Sequence, residues 1–152
     1  MDKILLIHGA NLNFLGKRNP ELYGDLTLAE LVNITKIEAE ICNFEIVDYQ
    51  SNHEGDIVDF LQVESLKSVG IIINPGAFSH YSYAIYDALL DTSLPTIEVH
   101  LSNIEKREVW RRKSVTAQAC IGIICGKKEL GYKEAIRILE DHLQSVRSTS
   151  IG

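Results

Sequence analysis

The run "VGIII" at residues 69–73 offers no polar position through which a strand could turn one face to water. Three consecutive isoleucines in so short a run predict a strand buried on both sides. The same kind of run recurs as "ILLI" at 4–7, "FEIVDY" at 44–49, "TIEVHL" at 96–101 and "IGIIC" at 121–125. Helix-period stretches lie between them. Thr27 and Glu30 make a T-x-x-E capping box ahead of "LVNITKIEAEI", which ends near Asn43. Further helices are predicted over residues 54–66, 79–90 and 129 to about 143, and residues 103–119 read as a long loop with a short helical turn. Buried strands alternating with crossover helices imply a parallel sheet covered on both faces through right-handed connections. Five such units fit a flavodoxin-like, doubly wound α/β fold with a five-stranded sheet, whereas a barrel needs eight.

A length of 152 residues suits a single domain with one core, and only the end, about 145–152, "SVRSTSIG", is expected to fray. No apolar stretch approaches a membrane span, and "MDKILLIHGANLN" lacks the basic start and cleavage pattern of a leader, so the expected setting is the cytoplasm, away from membranes. Cys42, Cys120 and Cys125 form no C-x-x-C pair and sit among apolar neighbours, which suits reduced thiols. The net charge of −6 opposes nucleic-acid binding and repels anions at long range, so an anionic substrate needs a local cationic site.

In open α/β sheets ligands bind beyond the carboxyl ends of the strands. There the first strand runs into His8, Asn11 and "GKRNPELYGD", the second into "QSNHEG", the third into "NPGAFSH" and the fourth into "HLSNIEKRE". Each Asn or His taken singly serves equally as a turn or structural residue. Four polar loops on one edge favour a site. Phosphate-loop, dinucleotide and nucleophile-elbow glycine patterns are missing, no His-x-His or His-Glu-x-x-His spacing occurs, and no lysine lies inside an apolar strand. A metal on His53, Glu54 and Asp56 is a minor alternative. Acid–base chemistry without a cofactor or metal remains, with Tyr23, His80 and His100 as acid–base candidates and Arg18, Arg107 and Arg111 as anion anchors. Arg107 and Arg111, four apart, would share one face of a helical turn, with Trp110 anchoring that turn to the sheet. By themselves they also describe a solvated basic patch; the acidic chain around them favours a clamp.

These residues carry a resemblance. "NLNFLGKRNPELYG", "QSNHEGDIVDFL", "INPGAFSHYSYAIYDAL", "PTIEVHLSNIEKRE", "WRRKS" and "GIICGKKELGYKEAI", in that order over nearly the whole chain, closely resemble the type II 3-dehydroquinate dehydratases. Two departures stand out: Ala10 replaces the usual proline of G-P-N-L-N, and Asn19 stands where an acidic residue usually precedes the lid proline. The resemblance implies Tyr23 as base, Arg18 as its partner, His100 as proton donor oriented by Glu98, and Asn11 beside the reacting centre. It further implies that Asn74, His80, Leu101, Ser102 and Arg111 hold 3-dehydroquinate, a small anion, and that Asp87 reaches the site of a neighbouring subunit. That geometry belongs to a homo-oligomer of trimers, commonly assembled as a dodecamer. Asp87, seven residues after His80, shares its predicted helix face and serves equally as intrahelical support.

The chemistry implied is loss of a proton beside a ketone, an enolate, and departure of a hydroxyl. An unperturbed tyrosine, with a pKa of about 10, is only about 0.1% ionised at pH 7, and a guanidinium within about 4–6 Å favours its charged form. A flap at residues 16–25, with Gly16 and Gly24 as hinges, would bring Arg18 and Tyr23 together and exclude water. Whether Arg111 with the Leu101 and Ser102 backbone takes the carboxylate or the ring hydroxyls stays open. The alternatives are a flavodoxin-like binding or regulatory protein without turnover, and a Schiff-base or metal-dependent dehydratase.

Overall fold

The structure is a computed structural model and describes residues 1–151. Five strands, β1 (Asp2–His8), β2 (Phe44–Gln50), β3 (Gly70–Asn74), β4 (Thr96–His100) and β5 (Gly122–Cys125), form one sheet in the order β2-β1-β3-β4-β5. All four neighbouring pairs are parallel. The order reverses at β1, which starts outward toward β2 while β3, β4 and β5 follow on its other side.

Alternation along each strand divides the core between two faces. Ile4 and Leu6 of β1 and Ile72 of β3 point to α2 (Leu28–Ile41) and α5 (Glu129–Ile151), meeting Leu31, Ala39, Tyr132 and Leu139. Leu5, Ile7, Ile71 and Ile73 point the other way, to α3 (Glu54–Glu64) and α4 (Tyr83–Thr92), meeting Ile57, Leu61, Ile85 and Leu89. The central isoleucines are buried on both sides, so truncating one, as in Ile72→Ala, removes about 2–5 kcal/mol of stability. The Thr27–Glu30 capping box forms as the sequence predicts, each side chain bonding the other residue's backbone N–H. Among the described residues no helix is long and apolar enough to cross a membrane.

Three expectations change. The helix predicted from residue 79 begins at Tyr83: Gly76–His80 is a 3-10 turn, and Ser82 caps α4 by accepting from the Ile85 N–H at 3.1 Å. His80 and Asp87 therefore do not share a helix face. The last helix runs to Ile151 rather than stopping near 143. No Gly or Pro interrupts it after Gly131, and Arg147 pairs with Asp2 at 2.5 Å, so the described part of the tail expected to fray is helical, while residue 152 lies outside the described residues. The loop at 103–119 contains three separate 3-10 turns, Ile104–Lys106, Val109–Arg111 and Thr116–Ala119, so Arg107 and Arg111 lie on different turns.

Candidate active site

The loops after β1 and β3 press together at the carboxyl edge of the sheet. Gly9 donates its N–H to the Asn74 carbonyl at 2.8 Å, and a Cβ on Gly9 would stand 2.0 Å from the Pro75 carbonyl oxygen. A Cβ on Gly76, whose φ is 62°, would stand 2.7 Å from the Ala10 carbonyl oxygen. Only glycine permits this approach at either place. It brings the segments that carry Asn11 and Asn74 to the border of one pocket.

That pocket is bordered by Asn11, Arg18, Tyr23, Asn74, His80, His100, Leu101, Ser102, Arg107 and Arg111, so ten of the residues singled out from sequence converge. Glu98 lies directly behind them. Asp87 is exposed on α4 and does not border this chain's pocket. Ala10, Leu12, Gly76, Ala77 and Ile104 complete the lining.

Tyr23 ends a one-turn helix, α1 (Pro20–Tyr23), that the flap forms over the pocket. Asn19 caps it by accepting from the Glu21 N–H at 3.0 Å, so this departure from the family pattern keeps a good N-cap acceptor without its charge. Gly16 and Gly24 flank the turn with φ of 92° and 79°. The guanidinium of Arg18 stacks 3.8 Å above the centre of the Tyr23 ring. The cation that donates to the phenol oxygen is Arg107, through Nη1 at 2.7 Å, and the same nitrogen donates to Ser102 Oγ at 3.3 Å. Sequence spacing offered Arg107 as an anion anchor but not this bond, because 84 positions separate it from Tyr23.

Burial pushes the Arg18 guanidinium below its usual pKa; Tyr23 beside it acts in the raising direction, and the nearby Arg107 and Arg111 add to the lowering. Arg111 is paired with Glu108 and stacked on Trp110, its guanidinium carbon 4.1 Å from the ring centre. Trp110 does not anchor the loop to the sheet: it is 54% exposed and packs edge-on to His80 at 5.3 Å. Three guanidiniums with one carboxylate among them leave the pocket short of negative charge.

Opposite the flap, the His100 Nε2–H donates to Glu98 Oε2 at 2.8 Å. Glu98 is fully buried on β4, and it also accepts from Ser114 Oγ at 2.5 Å and from Thr116 Oγ1. The carboxyl group is thus immobile, and His100 presents its other ring nitrogen to the pocket. His80 donates Nδ1–H to the Lys113 carbonyl at 2.8 Å, and burial lowers its pKa, leaving Nε2 as an acceptor. Sequence reasoning gave no role to Ser114, although it ends the quoted "WRRKS", or to Thr116; their only signal was two hydroxyls following the arginines of that loop.

Behind Asn74 lies a buried polar pair that spacing did not reveal, His8 and Tyr132, bonded at 3.0 Å. Desolvation lowers the His8 pKa to about 4, against a smaller raising effect of Asp48. A depressed pKa means that the unfolded chain binds the proton first. The stability held at neutral pH is then full above about 6.5 and is lost as pH falls toward 4. Urea unfolding at pH 7.5 and 4.5 should show about 2–3 kcal/mol of acid destabilisation in the wild type that is missing from His8→Leu; equal pH slopes in the two proteins contradict the assignment. Burial also raises the thiols of Cys42 and Cys125 to about 11, and that of Cys120 further, so none is poised as a nucleophile at neutral pH.

Fold and pocket together define a flavodoxin-like α/β protein with a cation-rich, strand-end site furnished for acid–base work. The family model described as dehydroquinase class II matches residues 2–140. The 3-dehydroquinate dehydratase of Clostridium acetobutylicum is 52% identical over 141 residues, covering 93% of this chain and 98% of that one, and the Bacillus cereus protein of the same name is 50% identical over 144 residues, covering 95% and 99%. A type II dehydroquinase structure from Butyrivibrio crossotus, 48% identical, superposes with a TM-score of 0.88 over 91% of this chain and 97% of that one. That from Propionibacterium acnes, 33% identical, gives the same TM-score over 93% and 97%. The chain belongs to the class II dehydroquinase family and is an enzyme, a hydro-lyase.

Proposed function

We propose that the pocket eliminates water from 3-dehydroquinate to give 3-dehydroshikimate, with Tyr23 removing the proton beside the ketone and His100 protonating the departing hydroxyl. The observation that carries this reading is the Tyr23 oxygen receiving a guanidinium hydrogen bond at 2.7 Å while a second guanidinium covers its ring. A cation donating to that oxygen stabilises phenolate over phenol, and the bond strengthens as charge develops. Arg18 and Arg107 thus divide the work of activation, one through the ring face and one through the oxygen. Burial of Arg18 supports this division, since removing water strengthens the field of a fixed charge.

The enolate that follows needs fixed donors, for which the Asn74 amide beside Asn11 is suited. Glu98 keeps His100 in one orientation and stabilises the imidazolium when His100 carries a second proton. Arg111, Ser102, the Leu101 backbone and His80 surround the place where the substrate's carboxylate and ring hydroxyls would lie. No cofactor or metal takes part in this scheme. Asp87, exposed on α4, fits a role in a neighbouring copy's pocket, within trimers assembled as a dodecamer. Sedimentation should then give the mass of twelve chains, and a fully active monomer would remove that part of the reading.

The direct test is to mix the purified protein with 3-dehydroquinate and follow the ultraviolet absorbance of the conjugated enone. Steady enone formation, unaffected by chelators or by borohydride with substrate, is expected; tight binding without enone would establish a binding protein instead. Arg18→Ala should lower kcat by about a hundredfold with a much smaller change in KM, as for loss of a stabilising charge felt mainly in the transition state. Equal kcat for Arg18→Ala and wild type would discredit the activation argument.

A further inference from the structure

Asn74 ends β3 with only 3% of its surface exposed, and its amide is held at both ends. The Gly76 N–H donates to Oδ1 at 3.1 Å, and Nδ2 donates to the Tyr132 hydroxyl at 3.1 Å. Tyr132, fully buried on α5, has one hydroxyl proton, and with its oxygen already accepting from Asn74 that proton goes to His8 Nε2 at 3.0 Å. His8 is itself buried at the end of β1, so the chain His8, Tyr132, Asn74 has a fixed direction of donation. Acceptor, hydroxyl and amide come from β1, α5 and β3, and the last member borders the pocket.

We propose that Tyr132, with His8 as its acceptor, is a positioning residue for Asn74, locking the amide so that its second Nδ2 hydrogen faces the reacting centre. A free carboxamide rotates between two orientations that exchange donor for acceptor at the same point in space. In the locked orientation the wall of the pocket offers a donor, which suits an oxygen gaining negative charge. Reversing the polarity anywhere along the chain turns the amide over and places a carbonyl oxygen against that charge. The ring of Tyr132 does the packing that its position on α5 demands, and the hydroxyl adds the orientation.

The inference deepens the dehydration reading and rests on it for its assay. Tyr132→Phe keeps the ring and removes the hydroxyl. The variant is expected to fold, to lose about tenfold in kcat with KM within about twofold, and to show no such loss when introduced into Asn74→Ala, because the two residues act as one unit. A second pair of variants stands independently of that fold: His8→Gln retains an acceptor near the Nε2 position and keeps most of the activity, whereas His8→Leu removes it and loses about as much as Tyr132→Phe. A merely structural role lowers stability, leaves kcat of the folded enzyme unchanged, and produces equal factors in both Asn74 backgrounds. Either equal kcat for wild type and Tyr132→Phe, or equal kcat for His8→Gln and His8→Leu, overturns the proposal. A wild type that makes no enone overturns the dehydration reading instead, so the two failures are distinct.

Discussion

Tyr23→Phe should lower kcat by at least about a thousandfold while the protein remains folded, since a positioned general base contributes about 10²–10⁴ to the rate and phenylalanine has no group to accept the proton. The expectation of a surviving fold follows from what each part of the side chain touches. The ring packs at the margin of the core that includes Leu31 and Leu101, and Arg18 stacks on its face; phenylalanine keeps both contacts. Only the hydroxyl is lost, and with it the bond from Arg107, which retains Ser102 as an acceptor. KM should therefore change little, because the guanidiniums that attract the substrate anion remain. Enone assays with thermal unfolding decide the matter: activity within a tenfold margin of wild type in a folded variant removes Tyr23 as the base.

Glu98→Ala is expected to damage both stability and turnover. The carboxyl group is fully buried and accepts from His100, Ser114 and Thr116, so truncation orphans three donors in a place water reaches poorly. Leaving buried polar groups unpaired costs about 1–3 kcal/mol each, and partial rearrangement of the two hydroxyls toward each other, already 3.2 Å apart, brings the total to about 3–5 kcal/mol. For a chain of this size that is a fall in Tm of about 10 °C. The surviving enzyme should turn over at least about a hundredfold more slowly, because His100 is no longer held in one orientation. Glu98→Gln separates the two effects: it restores volume and some stability, yet its amide cannot accept from all three donors, so kcat stays low. If Glu98→Ala unfolds within about 2 °C of wild type, the carboxyl group is not the hub described.

How much of this was legible in advance depends on the range of each interaction. The capping box at Thr27 and Glu30 is local, three residues apart, and the structure has it as read. The buried strands were legible because continuous apolar runs leave few choices of environment. α4 starts later than the span read along the chain because tertiary contacts hold residues 76–80 in a separate turn, with the Ser79 carbonyl accepting from the Val115 N–H at 2.7 Å. The tail beyond residue 145 looked loose by composition, but an uninterrupted helix and the Arg147–Asp2 pair hold its described part. Tyr132 had left a signal: it repeats with Ala135, Ile136 and Leu139 on the apolar face of α5, and a buried tyrosine requires a partner for its hydroxyl.

By itself the sequence determined the alternation of buried strands and helices, the edge at which the polar loops gather, and the family pattern that names most of the pocket residues. Hydrophobic period and local capping act over a few residues, so they can be read along the chain. Only the tertiary structure decided that Arg107 joins Arg18 at the Tyr23 side chain and bonds its oxygen, that Ser114 and Thr116 hold Glu98, and that His8 and Tyr132 are bonded behind Asn74. Those contacts join positions from 16 to 124 residues apart, and such partners meet only when packed elements set the register between them.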